Sequence, residues 1–98
     1  MTQRPAAASF AITLPGAFTV HVRLHGPAAD GAPQRELSVT MPAASTTEAL
    51  WDVLVTRMPT LASLRPHCAL AIDNSWAAPS APLHEGAMVD VIPPVSGG

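Results

Sequence analysis

Residues 18–24 read FTVHVRL, with Phe18, Val20, Val22 and Leu24 alternating without a break against Thr19, His21 and Arg23. A period of two puts the apolar set on one face of an extended strand and the polar set on the other. The segment therefore predicts a half-buried strand whose apolar face needs a second layer to cover it. The pattern returns in Leu37, Val39 and Met41 against Glu36, Ser38 and Thr40, after a stretch of turn formers at 25–34. These two runs predict a hairpin with a long loop. Residues 68–73 (CALAID) alternate again, with Cys68, Leu70 and Ile72 on one side, and in Met88–Ile92 the two valines Val89 and Val91 point inward.

Only one segment keeps the helical period. Leu50, Trp51, Leu54 and Met58 fall in one stripe at 100° per residue, flanked by Val55, with Glu48, Asp52 and Thr56 opposite. Ser45-Thr46-Thr47-Glu48 has the spacing of a capping box, in which Ser45 and Glu48 satisfy each other's backbone N–H groups. Pro59 lacks the donor that a helix interior needs, which predicts an end near Met58. Asp73-Asn74-Ser75 and Leu83-His84-Glu85-Gly86 read as turns, and residues 77–82 are too rich in proline for regular structure. The order is strand, strand, helix, strand, turn, strand. One helical stripe and several one-faced strands must share a core, which predicts an α+β domain with a mixed sheet packed on one main helix.

At 98 residues the chain supports a single modest core and no second lobe. Residues 1–16 read as a mobile Ala/Pro-rich tail, with 10–14 (FAITL) able to add a short strand, 17–92 as the domain and 93–98 as an extended C-terminal tail. All five basic residues are arginines, scattered and outnumbered by seven acids, so no basic stripe exists for nucleic acid. The absence of lysine removes a Schiff-base nucleophile, a phosphate-loop lysine and any isopeptide acceptor on this chain. One cysteine, Cys68, forms neither an internal disulfide nor a multi-cysteine zinc site, which points to a reducing cytoplasmic setting. Pro5 and Pro15 interrupt the N-terminal segment before it can resemble a signal peptide. No stretch approaches the ~20 apolar residues of a membrane span.

The last strand runs into Pro93-Pro94-Val95-Ser96-Gly97-Gly98. The prolines stiffen an extended exit, and the terminal glycines carry no side chain, so such an end can thread a narrow channel and present a bare carboxylate. With PPVSGG at its end, Leu83-His84-Glu85-Gly86 before the last strand and Ala71-Ile72-Asp73-Asn74-Ser75-Trp76 at the third, the chain resembles the ubiquitin-like sulfur carriers. Among these it is most similar to the small subunits of molybdopterin synthase. The resemblance covers residues 17–98 and implies a β-grasp fold, with the last strand parallel to the first at the centre of the sheet. It departs from the family pattern at Gly86-Ala87-Met88, where an acidic turn is usual, at Asp73 in place of asparagine, and at Arg23 in place of an apolar residue.

What the resemblance implies is a carrier that binds no cofactor. An adenylating, E1-like partner spends ATP and Mg to activate Gly98, and sulfur converts the acyl-adenylate to a thiocarboxylate. The sulfur then serves the large subunit of molybdopterin synthase or another acceptor enzyme. Gly98 and Gly97 are the reactive end, Pro93, Pro94, Val95 and Ser96 the tail, and Ile92, Trp76, Met88 and Arg23 the partner-facing surface. Alternatives are a carrier for thiamin thiazole, cysteine or a thio-natural product, or a modifier ligated through Gly98 to lysines. From the residues alone, Trp76 either caps the core edge or stands out as an interface anchor. Cys68 reads as a small core residue rather than a persulfide carrier. His67 and His84 read as isolated surface residues, and His21 and His25 lie about 13 Å apart along a strand, too far to share a metal ion.

Overall fold

The computed structural model describes residues 16–30 and 32–94. Strands β1 (Phe18–Leu24) and β2 (Glu36–Met41) pair antiparallel, with Phe18 opposite Met41 and Arg23 opposite Glu36. Helix α1 (Thr47–Arg57) follows, then a short helix α2 (Leu61–Leu64) and a 3-10 turn, Arg65–His67. Strands β3 (Ala69–Ile72), β4 (Ser75–Trp76) and β5 (Met88–Ile92) complete the sheet. Its order is β2-β1-β5-β3-β4, with β5 parallel to β1 and antiparallel to β3. This is the mixed sheet on one main helix that the amphipathic patterns require.

The core forms where the one-faced elements meet. Val20, Val22 and Leu24 of β1, Val39 and Met41 of β2, and Val89 and Val91 of β5 are buried together with Leu50, Trp51 and Leu54 of α1. Each strand contributes every second residue, which is the alternation read from the sequence. Leu61 of α2 is buried as well, although no element was expected there. Pro59 does end α1, whose last bond runs from the Met58 N–H to the Leu54 carbonyl at 2.8 Å. The chain then re-enters a helical turn that covers one more edge of the core.

The capping box does not form. The cap residue is Thr46, without a side-chain cap bond, and the Ser45 hydroxyl instead donates to the Pro42 carbonyl at 2.6 Å. The helix start is held by backbone from a distant segment: the Thr47 N–H donates to the Ala81 carbonyl at 2.9 Å, and Leu83 N–H donates to the Ser45 carbonyl at 3.1 Å. A tertiary carbonyl takes an orphan donor at the helix start, so the local motif is not needed.

The expected reversal after β3 is tighter than a plain turn. Asp73 and Asn74 both have left-handed φ, +50° and +71°. Two such residues in succession make the hairpin turn whose twist suits the flanking strands, and Asp and Asn tolerate it best after glycine. The chain therefore returns at once, Ile72 opposite Ser75 and Ala71 opposite Trp76, adding the edge strand β4 that the sequence reading left as turn. Residues 1–15, including the possible strand at 10–14, and the tail residues 95–98 lie outside the described residues.

Candidate partner face and tail exit

The face of the sheet turned away from α1 is ordered by register. Glu36 lies opposite Arg23, Arg23 beside Asp90, Asp90 opposite Ala71, and Ala71 opposite Trp76, so five residues form one row across all five strands. Ile92 lies opposite Ala69 on one side of that row, and Met88 lies beside His21 on the other. Both Met88 and Ile92 are half-buried. The small side chain of Ala71 leaves the neighbouring indole open, and Trp76 is 71% exposed, the only large apolar side chain so exposed among the described residues. Of the two readings left open for Trp76, the core-edge cap falls, because the indole is exposed. Trp51, by contrast, is buried in the core, with the Arg65 guanidinium 5.8 Å from its ring centre.

At the centre of this face sits a charged residue that the sequence reading passed over. Asp90 is only 6% exposed, although it points away from the main core. The Arg23 Nε donates to its Oδ1 at 2.7 Å and the Arg23 Nη2 to its Oδ2 at 3.0 Å. The His25 Nε2 lies 2.8 Å from the same Oδ1, so that nitrogen carries a proton and donates. The forked guanidinium holds the Asp90 carboxyl below the usual carboxylate range; burial opposes this, and His25 adds to the lowering. The same hydrogen bond raises Arg23 above its ordinary value. Arg23, which stands where the family pattern is apolar, is paired with its cross-strand neighbour Asp90, so its charge is offset on this face.

His21 and His84 also find partners. His21 Nδ1 lies 3.1 Å from the Ser38 hydroxyl. His84 is not isolated: its Nε2 bonds Asp73 Oδ2 at 2.8 Å, while Asp73 Oδ1 accepts the Met88 N–H at 3.0 Å. Asp73 thus links the β3–β4 turn, the turn at His84 and the start of β5. Among the described residues no three metal-binding side chains come together. Cys68 is half-buried against the core, and burial pushes its thiol up, which disfavours the thiolate that persulfide chemistry needs.

The tail leaves the centre of the sheet. Beyond Ile92, Pro93 is buried and Pro94 exposed. Pro93 packs beside Gly26, where an added Cβ would lie 3.8 Å from the proline Cγ. Val95, Ser96, Gly97 and Gly98 lie outside the described residues.

A family model matches residues 22–98, most of the domain and the whole of the tail, and its description is the ThiS family. The chain belongs to the ThiS family. Over 63 residues it is 35% identical to the molybdopterin synthase sulfur carrier subunit of Arabidopsis thaliana, a match that covers 64% of this chain and 66% of that protein, just under two thirds of its length. The resemblance to ubiquitin-like sulfur carriers read from PPVSGG therefore stands. The fold is the ubiquitin-like β-grasp. It superposes on SAMP1 of Haloferax volcanii with a TM-score of 0.73 at 26% identity, over 82% of this chain and 99% of that one. A complex of subunits 1 and 2 of the molybdopterin-converting factor from Helicobacter pylori contains the same fold, with a TM-score of 0.58 at 23% identity over 83% of this chain and all of the matched chain.

Proposed function

We propose that this protein is a sulfur carrier that works through the carboxylate of Gly98, as the small subunit of a molybdopterin synthase. The observation that carries this reading is the ThiS-family match, which extends through PPVSGG to residue 98 on a sheet whose central strand β5 leads into that tail. A carboxylate is a poor electrophile until one oxygen becomes part of a leaving group. In the proposed cycle a Gly98 oxygen attacks the α-phosphorus of ATP in an adenylating partner, and pyrophosphate leaves. Sulfur supplied at the hydrosulfide level then displaces AMP to give the thiocarboxylate. Transfer of that sulfur to an acceptor and attack of water on the acyl carbon restore the carboxylate. ATP and Mg belong to the activating partner, and the acceptor site belongs to the large subunit. The Helicobacter pylori complex of two subunits supports a large-subunit partner.

The test is ATP–pyrophosphate exchange with the cognate adenylating enzyme, together with intact mass of the protein from its own host. Exchange that disappears when Gly98 is deleted, and a species heavier by about 16 Da that reacts with an electrophile as a sulfur nucleophile, support the carrier. Undiminished exchange by the deletion variant defeats it. A second reading is favoured by the likeness to SAMP1, a small archaeal modifier protein. Abundant Gly98–lysine isopeptides in host lysate, found by mass spectrometry, would promote the modifier over the carrier.

A further inference from the structure

Asp90, Arg23 and His25 form a hydrogen-bonded cluster on the outer face, and the carrier chemistry above makes no use of it. A paired charge is no better than well-packed apolar side chains at stabilising a fold, so the cluster calls for a role beyond stability. What three directional bonds add over apolar packing is a fixed geometry. They tie the end of β1 to β5 two residues before the strand ends.

His25 is held to β5 twice. Its N–H donates to the Val91 carbonyl at 3.2 Å, and its ring bonds the carboxylate of the preceding residue, Asp90, at 2.8 Å. Immediately beyond it the chain turns at Gly26, with φ +52°, into a 3-10 turn, Gly26–Ala28. The turn is closed on His25 itself, because the Ala28 N–H donates to the His25 carbonyl at 3.0 Å. Gly26 in turn stands against Pro93, the first residue of the tail. A proline has no N–H with which to join the sheet ladder, so beyond its link to Ile92 its place at the exit depends on packing. Gly26, in the turn anchored by His25, is part of that packing.

We propose that Asp90 and His25 are positioning residues for the tail exit, holding the Gly26 turn against Pro93 so that the chain leaves the sheet at Pro93-Pro94 in one direction, toward the activating partner's site. The proposal rests on the sulfur-carrier reading. Residues 95–98 can span at most about 14 Å, so the position of Pro93-Pro94 bounds where the Gly98 carboxylate can reach. Misplacement of about 1 Å is enough to slow an aligned reaction.

The experiment compares His25→Ala with His25→Gln in ATP–pyrophosphate exchange, and reads the nuclear Overhauser contact between Gly26 Hα and Pro93 Hγ in each protein. His25 is half-exposed, so neither change empties the core. The glutamine amide nitrogen occupies the place of Nε2 and can still donate to Asp90. For His25→Ala the expected result is a fall in kcat of about tenfold with KM for the carrier within about twofold, and loss of the Gly26–Pro93 contact. For His25→Gln both return to near the wild-type values. A rise in KM with unchanged kcat would mean that the cluster contacts the partner directly, and overturns the proposal. So does an intact Gly26–Pro93 contact in His25→Ala, or a glutamine variant as deficient as alanine. If the wild-type chain supports no exchange, the carrier reading falls, and the Overhauser contact alone decides whether the cluster positions the exit.

Discussion

Leu54 and Glu48 show at the level of single residues how differently two helix positions weigh. Leu54 lies at the centre of the α1 stripe and is fully buried. Leu54→Ala removes three buried heavy atoms and leaves a cavity, which costs about 2–5 kcal/mol, a large share of the ~5–10 kcal/mol expected for a domain of this size. Glu48 was assigned half of a capping box. Since Ser45 is bonded to Pro42 and the helix start is held by the Ala81 carbonyl, Glu48→Ala is expected to change stability by no more than about 0.5 kcal/mol. Urea melts of the two variants check both figures, and an effect of Glu48→Ala near that of Leu54→Ala would contradict this account of the helix start. Asp90 is the converse case, a residue whose importance no local pattern announces. It is the lone charge in MVDVI, and that oddity was the available signal. Its partners, Arg23 of β1 and His25 just past its end, lie more than sixty residues away, and only the parallel register of β1 and β5 brings them to it.

Among the elements, those whose periodicity reports burial directly were legible in the sequence. β1 and the end of α1 fall where the alternation and Pro59 place them, because each depends on which residues face the core and on one missing donor. The additions, α2 and β4, are short, and both depend on tertiary cover. Leu61 is buried only because the chain folds back over the end of α1, and β4 exists because Asp73 and Asn74 both accept left-handed backbone. The Asp73 turn also gives a pH prediction. Asp73 is held below the ordinary carboxylate range, first by the Met88 N–H and then by His84. His84 is raised above the ordinary imidazole range, first by its bond to the Glu85 carbonyl and then by Asp73. A lowered carboxylate stabilises the fold above its unfolded value and loses that contribution as pH falls through the folded one. A raised imidazole stabilises below its unfolded value and loses the contribution as pH rises through the folded one. The pair is therefore at full strength between about pH 4 and 6.5. Both side chains are exposed, so the effect is small and screened by salt. The urea midpoint of wild type should exceed that of His84→Ala more at about pH 5.5 than at about pH 8.5, and the gap at the lower pH should shrink in about 1 M salt. A gap that widens at the higher pH would show that His84 acts through packing rather than through its charge.

The two faces of the sheet differ in what covers them, and the last prediction follows from that difference. The helix side of the sheet holds the core, so changes there are read in stability. The outer side carries Trp76 at one edge, Ile92 beside the tail exit, and the neutralised Arg23–Asp90 pair farther along the row that starts at Trp76. An exposed indole on a two-residue edge strand stabilises little in the monomer, and Trp76→Ala should leave the urea midpoint nearly unchanged, within about 0.5 kcal/mol in stability. Tryptophan is nevertheless the residue type most often dominant at a protein interface, where its removal costs about 2 kcal/mol or more of binding. Ile92→Asp sets an uncompensated carboxylate two residues from Asp90, next to the tail exit at Pro93. If the outer face docks both the adenylating enzyme and the large subunit, each variant should weaken binding to both proteins by about 1.5–3 kcal/mol, roughly tenfold or more in Kd, with circular dichroism unchanged. Calorimetry against each partner separately makes the comparison. Loss toward one partner alone would divide the face into two docking areas, and unchanged affinity toward both would move the interface off the sheet, leaving the tail as the only part of the molecule that either partner holds.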